Sequence, residues 1–123
     1  MTAKTIFVLD DSEIVLELVR TELTEAGFSV HATSDLAELE KLRSSATPDL
    51  VLLDVQMPEL FGDDIGMVLR DVHKVACPIY LLSSLEPREL TQRAAEAGLD
   101  GFISKRDGMA AVVKRVKEIL EVP

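Results

Sequence analysis

Leu50-Val51-Leu52-Leu53-Asp54-Val55-Gln56-Met57-Pro58 sets the architecture of the whole chain. Four consecutive apolar residues read as a strand buried on both faces, the pattern of a central strand in a parallel sheet. The run ends in a carboxylate, and turn chemistry follows with Pro58 and then Gly62. In open α/β sheets, ligands collect beyond the carboxyl ends of the strands, where the strand order reverses. Asp54 therefore stands where an α/β protein does its chemistry. An aspartate just past a strand is as often only a turn former or a helix cap. A second acidic group, after the first strand, tips the reading toward chemistry.

Working outward, Thr5-Ile6-Phe7-Val8-Leu9 reads as strand 1 and ends in Asp10-Asp11-Ser12. Residues 13–26 have helical spacing, with Ile14, Val15, Leu18, Val19 and Leu23 expected on the buried face. Ser12 suits the N-cap of this helix 1 and Gly27 its C′ position. Phe28-Ser29-Val30-His31-Ala32 alternates, as strand 2 nearer a sheet edge. Residues 35–45 form helix 2, with Asp35 and Glu38 as its capped start and Leu36, Leu39 and Leu42 apolar. Thr47-Pro48 ends it before the central strand, strand 3.

On the other side, Gly62 opens helix 3, where Ile65, Val68, Leu69 and Val72 form a stripe. Pro78 leads into strand 4, Ile79-Tyr80-Leu81-Leu82, which ends in Ser83-Ser84. Pro87 begins helix 4 and Gly98 closes it; its apolar residues are Leu90 and the small Ala94, Ala95 and Ala97. Asp100-Gly101-Phe102-Ile103 is a short strand 5, followed by Ser104-Lys105. Helix 5 carries Met109, Val112, Val113, Val116, Ile119 and Leu120 on one face. Five strand–helix units in alternation predict an α/β fold: a parallel sheet with helices on both faces and right-handed crossovers.

The chain has 123 residues, enough for one domain, expected to span 1–123 without a linker. Its formal net charge of −9 argues against binding nucleic acid or an anionic membrane surface directly. No apolar run reaches the roughly 20 residues of a membrane span, and Met1-Thr2-Ala3-Lys4 has no signal-peptide pattern. A single cysteine, Cys77, excludes an internal disulfide, fits a reducing cytoplasmic setting and reads as a small buried hydrophobe. His31 and His73 lack metal-ligand spacing and read as structural or surface residues.

The strand ends collect chemistry-bearing groups: Asp10 and Asp11 after strand 1, Asp54 after strand 3, Ser83 after strand 4, Lys105 after strand 5. In the expected fold these ends share one edge. Three carboxylates brought together raise one another's pKa unless a cation intervenes. A hard divalent cation such as Mg²⁺ takes oxygen ligands and bridges to phosphate oxygens. A carboxylate beside it serves as a nucleophile toward a phosphoryl group, giving an aspartyl-phosphate. Lys105 and Ser83 would complete the charge neutralisation that phosphoryl transfer needs. Each group also has a bland reading: the aspartates as helix caps, Lys105 as a solvated lysine, Ser83 as a local turn former.

As a set, Asp10-Asp11 in Leu9-Asp10-Asp11-Ser12, Asp54 in Leu53-Asp54-Val55-Gln56-Met57-Pro58, Ser83 in Leu81-Leu82-Ser83-Ser84 and Lys105 in Ile103-Ser104-Lys105 are specific. With them the chain resembles, over its whole length, a receiver domain of bacterial two-component response regulators of the stand-alone chemotaxis type. The resemblance implies a flavodoxin-like doubly wound sheet of five strands in order 2-1-3-4-5, the order expected of flavodoxin-like sheets in general. It implies that Asp54 accepts a phosphoryl group from a phosphohistidine on a sensor histidine kinase or phosphotransfer protein. It implies Mg²⁺, with Mn²⁺ as an alternative, held by Asp11, Asp54 and the Gln56 backbone carbonyl, with Asp10 helping through water. Ser83 and Lys105 would each engage a phosphoryl oxygen.

Such a protein works as a switch. It phosphorylates and dephosphorylates itself but is not a turnover enzyme. The added charge would draw Ser83 inward, and Phe102, otherwise ordinary packing, would turn inward behind it. The output surface would be helix 4, strand 5 and helix 5, offered to a downstream protein, with the chain a monomer or weak dimer. No DNA-binding segment is expected after helix 5; the chain suits a stand-alone regulator or a piece of a longer one.

Two departures from the family pattern stand out. Arg106 follows Lys105 where the family usually has proline, so a trans peptide and a different loop shape are expected, since a cis bond before a non-proline residue costs about 3–4 kcal/mol. Ser83 stands where threonine is commoner, and Ser84 is slightly larger than usual. Gln56 and Leu85 would tune hydrolysis; Leu85 cannot orient an attacking water, so slow autodephosphorylation is expected. Two alternatives compete. One is a pseudo-receiver, an interaction module that is not phosphorylated. The other is a small aspartate-nucleophile phosphatase resembling the haloacid dehalogenases, which needs an acid/base aspartate where this chain has Gln56.

Overall fold

Each strand of the sheet forms where the apolar runs lie and stops where they stop. The computed structural model describes residues 3–56, 62–71 and 74–123. In chain order these form β1 (Thr5–Leu9), α1 (Glu13–Glu25), β2 (Ser29–Thr33), α2 (Leu36–Ser45), β3 (Leu50–Leu53), α3 (Gly62–Asp71), β4 (Ile79–Ser83), α4 (Pro87–Glu96), β5 (Gly101–Ser104) and α5 (Met109–Ile119). A single 3-10 turn, Lys105–Asp107, joins β5 to α5. The five strands are parallel and lie in the order β2-β1-β3-β4-β5, as expected for a doubly wound sheet. No described helix is long and apolar enough to cross a membrane.

The strict alternation of side chains along a strand divides the core in two. Phe7, Leu9, Val51, Leu53, Ile79 and Leu81 point to the side covered by Leu39 of α2, Ile65 and Leu69 of α3, and Leu90 and Ala94 of α4. Ile6, Val8, Leu50, Leu52, Leu82 and Ile103 point to the side covered by Leu16, Val19 and Leu23 of α1 and Val112 and Val116 of α5. All four residues of β3 are buried, which is why its sequence is apolar without interruption. β2 lies at the edge and is only partly buried; its His31 meets the Phe7 ring edge-on at 5.5 Å, a packing role.

The helix starts and stops follow the local chemistry. Ser12 Oγ accepts the Val15 N–H, and Asp35 Oδ1 accepts the Ala37 N–H, so both are N-caps. Gly27 ends α1 at φ 100°, with the Phe28 N–H donating to the Leu23 carbonyl.

Two expected faces are corrected. Ile14 is 75% exposed and Leu18 47% exposed, whereas the sheet-facing residues of α1 are Leu16, Val19 and Leu23. At 3.6 residues per turn Leu18 and Ile14 lie roughly 100° and 140° round the helix from Val19, too far to reach the sheet with it. Val68 is likewise exposed on α3 while Ile65 and Leu69 are buried. Strand bounds shift slightly: Phe28 is buried ahead of β2, β4 includes Ser83, and Asp100 precedes β5. Ala95 faces solvent. Met57, Pro58, Val72 and His73 lie outside the described residues.

Candidate functional site

Register places the site. Leu9 of β1 pairs with Leu53 of β3, so Asp10 and Asp54 leave the sheet side by side. Their amides extend the ladder: the Asp54 N–H donates to the Leu9 carbonyl at 2.9 Å, and the Asp10 N–H to the Thr33 carbonyl at 3.2 Å. Ser83 pairs with Ser104 on β5, which puts Lys105 one step beyond the same edge. Residues 95 positions apart in the chain thereby meet: Lys105 Nζ lies 2.6 Å from Asp10 Oδ2. The same ammonium is 3.6 Å from Asp54 Oδ1.

The two carboxylates nearest the sheet are shielded from water, Asp10 at 1% and Asp54 at 6% exposure, while Asp11 is exposed. Each buried carboxylate also shapes the loop that follows it. Asp10 Oδ1 accepts the Ser12 N–H at 2.9 Å, and Asp54 Oδ1 accepts the Gln56 N–H at 3.4 Å. Ser12, rather than either aspartate, is the N-cap of α1, so capping does not account for the acidic pair.

Three carboxylates face one ammonium. Burial pushes the Asp54 carboxyl up from 3.8 to about 6; Lys105 pulls it down, Asp10 raises it, the Gln56 N–H lowers it and Asp11 raises it. Ligand oxygens of Asp10, Asp11 and Asp54 lie within 4.8 Å of one another. A set of hard carboxylate oxygens gathered on one edge is the donor chemistry that Mg²⁺ or Mn²⁺ takes.

Ser83 is buried at the end of β4, and its Oγ accepts the Leu85 N–H at 3.2 Å. Phe102 pairs with Leu81 in the sheet and packs, half-buried, on the same core as Leu85. The Gln56 side chain is exposed. The Lys105–Arg106 peptide is trans, as Arg106 in place of proline leads one to expect. One feature had no signature in residue spacing: Arg106 reaches back to the β4–α4 loop, where its Nε donates to the Ser84 carbonyl.

Other chemistry-bearing side chains lie elsewhere. Cys77 precedes β4, at the opposite end of the strands; expected to be buried, it is only partly so and packs against the α2–α3–α4 core. Asp100 lies at that end too, where its carboxylate accepts the Ile79 N–H.

Comparison with known proteins points one way. The family model for the response regulator receiver domain matches residues 6–117. The chain is 33% identical over 117 residues to the alkaline phosphatase synthesis transcriptional regulatory protein PhoP of Bacillus subtilis strain 168, covering 95% of this chain and 48% of PhoP. It is 24% identical over 118 residues to the polar-differentiation response regulator DivK of Brucella anthropi, covering 95% of this chain and 96% of DivK. It thus spans about half the length of transcriptional regulators such as PhoP, and 50% of the regulatory protein CusR of Escherichia coli K12. Among solved structures, the chemotaxis response regulator CheY4 of Vibrio cholerae superposes with a TM-score of 0.83 at 24% identity, over 96% of this chain and 99% of that one. The BeF3-activated receiver domain of DrrB, a Thermotoga maritima protein, superposes with a TM-score of 0.79 at 26% identity, over 98% of this chain and 99% of that one.

Proposed function

The chain belongs to the response regulator receiver domain family, and from that premise we propose that residues 1–123 act as one phosphoacceptor switch with Asp54 as the acceptor. Receiver domains are signalling switches rather than turnover enzymes; they bind Mg²⁺ at an acidic pocket and act between histidine kinases and downstream targets. The observation that carries the assignment is the meeting of Asp54 with Asp10, Asp11 and Lys105 at one edge of the sheet.

An Asp54 carboxylate oxygen attacks the phosphorus of a phosphohistidine on a sensor kinase or phosphotransfer protein. The nitrogen–phosphorus bond breaks with its electron pair left on the imidazole, and an acyl phosphate forms on Asp54. The attack requires the ionised carboxylate. A carboxyl held at about 6 is mostly ionised at neutral pH, yet remains more basic than an ordinary aspartate. Lys105, which rests on Asp10, would swing its ammonium to pair with a phosphoryl oxygen. The buried Ser83 hydroxyl donates to another.

Asp11, Asp54 and the Gln56 backbone carbonyl would hold Mg²⁺ or Mn²⁺, with Asp10 assisting through water. The bound cation supplies the positive charge that three carboxylates and a phosphoryl group together demand. Leu85 offers no group to orient a water, so the acyl phosphate is long-lived. Phe102 follows Ser83 inward, and α4, β5 and α5 present the altered surface to a downstream protein in the cytoplasm. A groove of about 450 Å³ on that surface, lined by Phe102, Ser104, Lys114 and Arg115 among others, supports this choice of face.

The test is intact-protein mass after incubation with acetyl phosphate and Mg²⁺, beside Asp54→Ala and an EDTA control. A single adduct that needs both Asp54 and the cation is expected. No adduct in folded, cation-binding protein would leave an interaction module that works without phosphorylation. Many turnovers on a generic phosphate ester would favour the phosphatase.

A further inference from the structure

Arg106 grips the neighbouring loop at two points. Its Nε donates to the Ser84 carbonyl oxygen at 2.7 Å, and its Nη1 donates to Glu86 Oε1 at 3.2 Å. Its own backbone is fixed in turn, because the Arg106 N–H donates to Ser104 Oγ at 3.1 Å. Glu86 stands at the N-cap of α4, yet its side chain makes no capping bond; its carboxylate faces Arg106 instead. One guanidinium thus ties the 3-10 turn that begins at Lys105 to the residue after Ser83 and to the N-cap of α4.

The two neighbours on this turn face opposite ways. Lys105 reaches inward to Asp10 and Asp54, while Arg106 reaches outward to Ser84 and Glu86. They are joined by one peptide bond, so a displacement of Lys105 is felt at Arg106. A lysine in Arg106's place has one charged point; arginine has a planar fork that holds a carbonyl and a carboxylate together. The bond to Ser84 is charge-assisted and aimed at backbone, so it moves the loop itself and not only a side chain.

We propose that Arg106 is a positioning residue, a latch that makes the Lys105 turn and the β4–α4 loop move as one body, so that engagement of a phosphoryl group by Lys105 is passed to the start of α4. This rests on the phosphoacceptor reading of Asp54. The latch takes no part in binding the phosphoryl group. It determines how much of that binding reaches the output helix.

The experiment separates the two. Beryllofluoride with Mg²⁺ serves as the phosphoryl mimic; its binding is read by fluorine NMR and its effect on residues 84–90 by hydrogen exchange. Wild type is expected to bind and to change exchange across this segment. Arg106→Gln is expected to bind beryllofluoride within about twofold of wild type while losing most of the exchange response. Arg106→Lys should restore little of it, and Glu86→Gln, which leaves the Ser84 contact, should fall between. A full response in Arg106→Gln, or full rescue by lysine, overturns the latch. Loss of binding in Arg106→Gln also overturns it, since the residue would then belong to the pocket. Failure of wild type to bind, or binding that survives Asp54→Ala, overturns the phosphoacceptor reading instead, whatever Arg106 does.

Discussion

Aspartates stand at both ends of the sheet, and the fold treats them differently. At the amino ends of the strands, Asp49 Oδ2 accepts the Thr5 N–H at 2.8 Å. Asp100 Oδ2 accepts the Ile79 N–H at 2.8 Å and a bond from Arg70 Nη2 at 2.7 Å. These carboxylates close strand ends and are matched by donors. At the carboxyl ends, Asp10, Asp11 and Asp54 crowd together and share one lysine. There burial disfavours the ionised form of Asp54, the neighbouring carboxylates add to it, and Lys105 opposes them. The same residue type contributes stability at one end and stored electrostatic demand at the other; that demand is what a cation and a phosphoryl group can meet.

The widest separation between the ends should appear in phosphorylation. Asp54→Ala is expected to abolish the acetyl-phosphate adduct. Lys105→Ala should slow adduct formation by about 100-fold or more, the scale of losing one preorganised charge at a reacting group. Asp100→Ala should label at the wild-type rate per folded molecule. Equal labelling defects at both ends would show that the carboxyl-end aspartates have no special part in phosphoryl transfer.

The next effect is on stability, and its sign is opposite at the two ends. Folded Asp54 keeps its proton up to about pH 6, whereas an unperturbed carboxyl releases it near 3.8. The folded state therefore binds more protons between these values, and stability falls as pH rises through them and stays lower above. In metal-free protein Asp54→Asn removes this cost, so thermal unfolding at about pH 7.5 should shift upward, by at most about 3 kcal/mol. At about pH 3.5, where wild-type Asp54 is already neutral, the two proteins should unfold together. An equal gain at both pH values would show that packing and not charge is responsible. Asp100→Ala should instead destabilise at neutral pH, by roughly 1–3 kcal/mol, because it strips a buried strand amide of its acceptor.

How much of this was legible in the sequence follows from what sequence can encode. Strand ends are legible because an apolar run and its terminating polar residue are neighbours, so the runs alone put Asp10, Asp54, Ser83 and Lys105 on one edge. Burial on α1 is not. Ile14 and Leu18 form one apolar set and Leu16, Val19 and Leu23 another, and only the sheet decides which faces inward. Asp100 read as the first residue of a strand, but its side chain serves the neighbouring strand 21 residues earlier. In sequence Arg106 stands out only as a departure from a family pattern. Its partners, 22 and 20 residues away, have no periodic relation to it and emerge only when β4 and β5 lie side by side.

One cause, burial, acts at both ends of the sheet with different results. Burial raises the Cys77 thiol from 9.0 to about 11, as it raises the Asp54 carboxyl to about 6. The starting points differ, and so do the consequences. A carboxyl lifted from the acid range arrives near neutrality, where its protonation matters to phosphoryl chemistry. A thiol lifted from an already alkaline value leaves the working range altogether. Cys77 should hold almost no thiolate at pH 8, and should react with a thiol-specific reagent about 100-fold more slowly than the same thiol in denaturant. Stability should be indifferent to Cys77 ionisation below about pH 9 and decline only from there toward 11, since the folded state retains the proton longer. A thiol as reactive in the folded protein as in denaturant would mean that the amino end of the sheet is open to water, and that burial alone does not distinguish the two ends.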